Sequence, residues 1–207
     1  FRLIIFLQRY MKNSTYNPYV TERIHRFDNT LCGVCYSAPF MHCEQDADTL
    51  LNGHNIIALH NQLPDRPELI IIPLAGNSLM EFLRAPENYP MLQAAHVRLA
   101  IDYAGLLQGG APLLAVAHHF SFWLCDLAPP GTEWKKIVAF PFSGVVLAED
   151  FFNDNYLKFS FPFLIESLRE READVILRTA QLTLNSEHYQ RLQLSGWQQQ
   201  RTPGTLF

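Results

Sequence analysis

The sequence predicts an α+β fold in which a small cysteine- and histidine-bearing segment near the N-terminus joins a mostly helical body. Three observations carry that prediction. Cys32, Cys35 and Cys43 cluster beside histidines, while the fourth cysteine, Cys125, lies far downstream. Apolar residues recur at helical spacing through much of the C-terminal two thirds, as at Leu92, Ala95, Leu99, Tyr103 and Leu106. Short continuous apolar runs such as Leu69-Ile70-Ile71-Ile72 interrupt those stretches as candidate strands. The expected organisation is residues 1–64 as an N-terminal strand and finger-like segment, and residues 65–207 as a helical body packed against it.

Taken in order, Phe1 to Leu7 reads as a buried strand, since the run is too short for a secretory leader and has no small-residue cleavage site. Tyr10 to Pro18 reads as a loop and Tyr19 to Phe27 as a short helix. The cysteine and histidine segment follows and closes at Leu63-Pro64-Asp65-Arg66-Pro67, a turn signal. Leu69 to Ile72, ended by Pro73, is a buried strand. Asn77 or Ser78 would cap a helix through Leu83. Glu87 to Leu107 reads as one helix stopped by Gly109-Gly110. Leu113 to Leu127 is apolar and periodicity does not separate helix from strand there. Ile137 to Leu147 is strand-like or mixed, Phe161 to Leu182 is the clearest helix, and Ser186 to Leu194 is a last helix ended by Gly196.

The totals exclude several function classes. With 48% hydrophobic and 17% charged residues, 207 residues suffice for one sizeable core and carry no signature of disorder. A formal charge of -4 lacks the basic excess of a phosphate-backbone binder, so nucleic acid is a disfavoured partner. Lys135 with Lys136, and Arg169, Arg171 and Arg178, read as solvated faces. No apolar run reaches the roughly 18 residues needed to span a bilayer. Clustered cysteines without a leader point to metal rather than disulfides and to a cytoplasmic location.

Zinc takes four soft or borderline ligands in a tetrahedron, and a Cys-x-x-Cys knuckle supplies two when a tight turn aims both thiolates at one point. Cys32-Gly33-Val34-Cys35 has that spacing, although a redox pair or two core residues fit it as well. Asn55-Ile56-Ile57-Ala58-Leu59-His60 stands where a second ligand group would begin. Cys32, Cys35 and His60 are therefore the leading ligands, with Cys43, or alternatively His54, as the fourth.

This segment resembles the HNH or treble-clef finger family. Arg26-Phe27-Asp28 stands ahead of the knuckle, His42 follows it, Gly53 supplies the turn and Asn55 opens the helix. The resemblance implies a structural tether at Asn55 and a nuclease general base at His42. It departs at Leu63, where the family's next ligand falls, and at Pro64, near the last histidine. A degenerate finger on a helical body resembles, more narrowly, the DotN/IcmJ component of type IVB secretion and conjugation systems. That likeness implies a cytoplasmic, non-catalytic adaptor that binds a protein partner, the tail of a coupling ATPase, and holds one zinc.

Two further readings compete. Cys32-Gly33-Val34-Cys35-Tyr36 resembles the sequence around a papain-type nucleophile, which would make Cys35 the nucleophile with His119, or His118, and Asp126 as partners. Asn29 stands where that family keeps an oxyanion-hole glutamine. A plain interaction module would instead bind through Phe151, Phe152 and Tyr156.

Overall fold

In the computed structural model, which describes residues 20–37, 57, 60, 61, 67–127 and 131–201, eight strands close into one barrel. The strands are β1 (Val20–His25), β2 (Leu31–Ser37), β3 (Leu69–Pro73), β4 (Val97–Ile101), β5 (Phe122–Leu124), β6 (Gly144–Ala148), β7 (Asp174–Thr179) and β8 (Gly196–Gln199). Neighbours from β2 to β8 run parallel, whereas β1 is antiparallel to both β2 and β8. Helices α1 (Gly76–Arg84), α2 (Tyr103–Val116), α3 (Trp134–Ala139), α4 (Glu149–Asn155), α5 (Ser160–Arg169) and α6 (Ser186–Arg191) alternate with the later strands. The barrel takes β1 and β2 from ahead of residue 64 and its other strands from behind it.

This architecture overturns the finger on a mostly helical body. The misreading has one physical source. Parallel barrel strands are buried on both faces, so they lack the polar alternation that marks a half-exposed strand. Ile71, Ala100, Trp123, Val146 and Ile176 point into the barrel, where they cluster with Ile24 and Cys35. Their neighbours Ile70, Ile72, Leu99, Ile101, Phe122, Leu124, Val145, Leu147, Val175 and Leu177 point outward under the helices. Two interleaved, largely apolar faces produce stretches such as Val97 to Ile101, interrupted at Arg98, that also satisfy a helical period.

Accordingly, the expected helix from Glu87 to Leu107 is two 3-10 turns, then β4, then the start of α2. The expected helix from Phe161 to Leu182 divides into α5 and β7. Leu113 to Leu127 holds the end of α2 and all of β5. The expected stop at Gly109-Gly110 is present: Gly110 (φ 46°, ψ -132°) is non-helical and divides α2 into two helical segments. The β3 strand and the helix after it stand where expected, with Ala75 rather than Asn77 or Ser78 at the N-cap; the Ser78 hydroxyl accepts from the Ala75 N–H and donates to its carbonyl.

Tyr19 to Phe27 was expected to be helical, yet Val20–His25 is a strand. Its hairpin to β2 is held by local chemistry: Asp28 Oδ1 accepts from Thr30 N at 2.9 Å and Asn29 adopts φ 68°, the left-handed conformation that asparagine tolerates. Closure on the other side of β1 requires Gly196, because a Cβ there would lie 2.4 Å from the His25 carbonyl oxygen. Between barrel and helices, Leu79 and Phe82 of α1 and Phe161 and Ile165 of α5 are fully buried. Each such side chain contributes about 1.5–3 kcal/mol relative to exposure. Among the described residues no helix is long and apolar enough to cross a membrane. The expected strand at Phe1 to Leu7 and loop at Tyr10 to Pro18 lie outside the described residues.

Candidate functional site

Side chains alternate across a strand, so fixing Ile24 and Ile176 inside the barrel also points Glu22 and Arg178 inward, one pair nearer the C-terminal end of the parallel strands. Gln198 pairs with Arg178 across β7 and β8 and with Ile24 across β8 and β1. Three polar residues from three strands thus meet at that mouth. Arg178 Nε and Nη2 donate to the two Glu22 oxygens at 2.8 Å each, and Gln198 Nε2 donates to Glu22 Oε2 at 2.6 Å. Arg201 N adds a longer bond of 3.4 Å. The arrangement is a forked guanidinium–carboxylate pair, the geometry in which arginine binds oxyanions best.

Burial pushes the Glu22 carboxyl upward, but the hydrogen bonds from Arg178 and Gln198 and the charge of Arg178 outweigh it, so the group titrates below its ordinary value. The same bonds raise the already high basicity of Arg178. Its Nη1 has no partner among the described residues. Two exposed carboxylates stand near this mouth. Asp126 follows β5 in the left-handed region at φ 52°, and its charge acts on Arg178. Asp102 caps α2, its Oδ1 accepting from Gly105 N at 2.7 Å.

The sequence-derived candidates are not gathered in this way. Cys32 and Cys35 lie in β2, where extended backbone replaces the turn that would converge two thiolates. Cys35 points into the barrel, while Cys32, at the β1–β2 irregularity, donates to the Ile24 carbonyl. His60 is buried on the outer side, edge-on to Tyr36 and stacked on His96, with Nε2 3.1 Å from the Pro67 carbonyl oxygen. Among the described residues no three His, Cys, Asp or Glu side chains are placed to hold a metal ion. His42, Cys43, His54 and Asn55 lie outside those residues.

The papain-like triad does not assemble either. Burial, reinforced by the Glu22 charge, pushes the Cys35 thiol up to about 12, the opposite of what a nucleophile needs. His118 and His119 are exposed ahead of β5 and Asp126 follows it, so they occupy opposite ends of one strand. Of the aromatics assigned to an interaction module, Phe152 is fully buried. Sequence reasoning missed Glu22 and Gln198 and left Arg178 as a solvated charge. The available signal was a charge closing the buried run Val175-Ile176-Leu177, where an unpaired arginine would be costly.

No protein-family profile and no curated protein matches this sequence. Solved structures do match in fold. The PaMucR phosphodiesterase in complex with c-di-GMP superposes with a TM-score of 0.61 at 14% identity, over 88% of this chain and 94% of that one. The EAL enzyme Bd1971, with cAMP and cyclic-di-GMP bound, gives a TM-score of 0.66 at 13% identity over 96% of this chain and 64% of that one. Klebsiella pneumoniae BlrP1, as a manganese and c-di-GMP complex, gives 0.67 at 10% identity over 90% of this chain and 55% of that one. The fold is therefore that of EAL domains. The HNH and DotN/IcmJ resemblances are overturned, together with the non-catalytic zinc adaptor, the type IV secretion setting and the expectation of a non-enzyme, because the fold is one that phosphodiesterases use.

Structures of this fold are known with manganese and with calcium. The described carboxylates here do not fit such an ion: both Glu22 oxygens are occupied by Arg178 and Gln198, Asp102 Oδ1 caps a helix, and Asp126 belongs to no group of three candidate ligands among the described residues.

Proposed function

We propose that this chain binds a cyclic dinucleotide at the C-terminal mouth of its barrel. The observation that carries the proposal is Arg178, held at the mouth by Glu22 with Nη1 left to donate to a phosphodiester oxygen. In barrels of this kind the loops beyond the C-terminal strand ends carry the ligand site. The formal charge of -4 is no obstacle, since a ligand with two phosphodiesters needs a local cation rather than a basic surface. Several neighbours of the same fold are c-di-GMP complexes, which supports this ligand class.

Hydrolysis is a second reading, favoured by Asp126. Its exposed carboxylate, whose charge acts on Arg178, would take a proton from a water that adds to phosphorus as one P–O ester bond breaks, and the departing ribose oxygen would take a proton from solvent, giving a linear dinucleotide. Calorimetric titration with cyclic-di-GMP tests binding; saturable heat is expected, weakened about tenfold in Arg178→Lys, which keeps the charge but loses the fork. Chromatography of the same mixtures, with and without manganese, tests for the linear product, and Asp126→Asn should abolish it. Absence of both binding and product would sink the proposal.

A further inference from the structure

An ionised carboxylate offers about four lone-pair directions on its two oxygens. In Glu22 each oxygen already has two donors. Oε1 accepts from Arg178 Nη2 and Arg201 N, and Oε2 accepts from Arg178 Nε and Gln198 Nε2. The ions known with this fold, manganese and calcium, bind through those same oxygen lone pairs. To reach Glu22, such an ion must displace the guanidinium, and two cations then crowd one carboxylate. Breaking a largely buried pair in this way is costly.

The second observation is what faces outward. The Glu22 side chain is 12% exposed and that of Arg178 is 32% exposed, so an incoming group meets the guanidinium rather than the carboxylate. Arg178 is fixed through Nε and Nη2, and Nη1 on its far edge has no partner among the described residues. A resident divalent ion neutralises carboxylates and offers positive charge to a ligand's phosphate oxygens. One guanidinium does both here. We infer that Arg178 is the built-in cation of this mouth: it holds Glu22 closed to divalent ions and presents its far edge to an anionic ligand, so that binding there needs no metal. Metal-free binding of a cyclic dinucleotide rests on the function proposed above, whereas exclusion of the ion from Glu22 does not.

Manganese binding to the full chain, followed through the EPR signal of the free ion, tests the exclusion. Wild type and Glu22→Gln are expected to bind manganese alike, because Glu22 takes no part. Arg178→Met should bind the ion about tenfold more tightly than wild type, and adding Glu22→Gln should remove that gain. Wild-type binding that falls about tenfold in Glu22→Gln, or an Arg178→Met variant that gains nothing, overturns the assignment. Should Arg178→Met fail to fold, Arg178→Gln makes the same comparison. Calorimetric titration with cyclic-di-GMP, in EDTA and in manganese, should give affinities within about twofold of each other, and an affinity about tenfold higher with manganese also overturns the assignment. No heat in either buffer counts against cyclic-dinucleotide binding alone, and the manganese comparison then decides the role of Arg178.

Discussion

The two ends of the barrel handle charge in opposite ways. At the C-terminal mouth Glu22 is saturated by Arg178 and Gln198, three strands are tied together, and only one edge of the guanidinium is left over. At the N-terminal end the ion pairs of Arg26 with Glu68 and of Arg169 with Asp174 are peripheral and exposed, and the half-buried Arg98 bonds only to the carbonyls of Ala95 and Val97 among the described residues. The first arrangement joins the strands where the barrel closes through β1. In the second, the exposed ion pairs contribute little to the fold. Polar groups inside a barrel are costly, so the way each is satisfied separates a structural role from a binding role.

The largest expected effect falls on the tied end. Arg178→Ala leaves Glu22 with its carboxylate mostly buried and uncompensated, and should lower unfolding free energy by about 3 kcal/mol in denaturant titration. A loss under about 1 kcal/mol would mean that the mouth is not the structural tie described. At the other end Gly144→Ala should destabilise by about 2 kcal/mol, because the added Cβ would lie 2.4 Å from the Trp123 indole and force the ring to shift. The Trp123 indole N–H signal should move in that variant, and an unchanged signal would show that the ring does not seal this end.

Acid should act on the C-terminal mouth. Glu22 titrates below its ordinary carboxylate value in the folded chain, so its contribution to stability is complete above that ordinary value and is lost as pH falls through the folded one. Stability measured as a function of pH should decline over that acidic window, and Glu22→Gln should flatten the decline. The smallest effect belongs to the exposed pair at the N-terminal end. Glu68→Gln should change stability by less than about 1 kcal/mol, since both partners are solvated. A larger change would place Arg26 and Glu68 in the structural framework rather than at its rim.

Legibility in the sequence followed the number of faces each element buries. β3 was readable from Leu69 to Pro73 because its run is short and ends in proline. The helix after it was readable from the capping residue types Asn77 and Ser78, although the cap itself falls at Ala75. β4 and β7 were not, because each places buried apolar residues on both faces, Leu99 beside Ala100 and Val175 beside Ile176, and adjoins real helices, so each was absorbed into a neighbour. The Cys32-Gly33-Val34-Cys35 spacing was real but its geometry was not in the spacing: the same four residues serve as a turn or as a strand, and pairing with β1 and β3 made them a strand.

By itself the sequence determined that the chain folds around a large apolar core and where several elements begin and end. It contained Glu22, Arg178 and Gln198 without indicating that they meet, since the bonds joining them span more than 150 positions. Only the tertiary structure decided that the cysteines of β2 were buried rather than convergent, and that Arg178 was tied to Glu22. Those outcomes depend on barrel closure and strand register, set by long-range pairing between strands rather than by any local pattern.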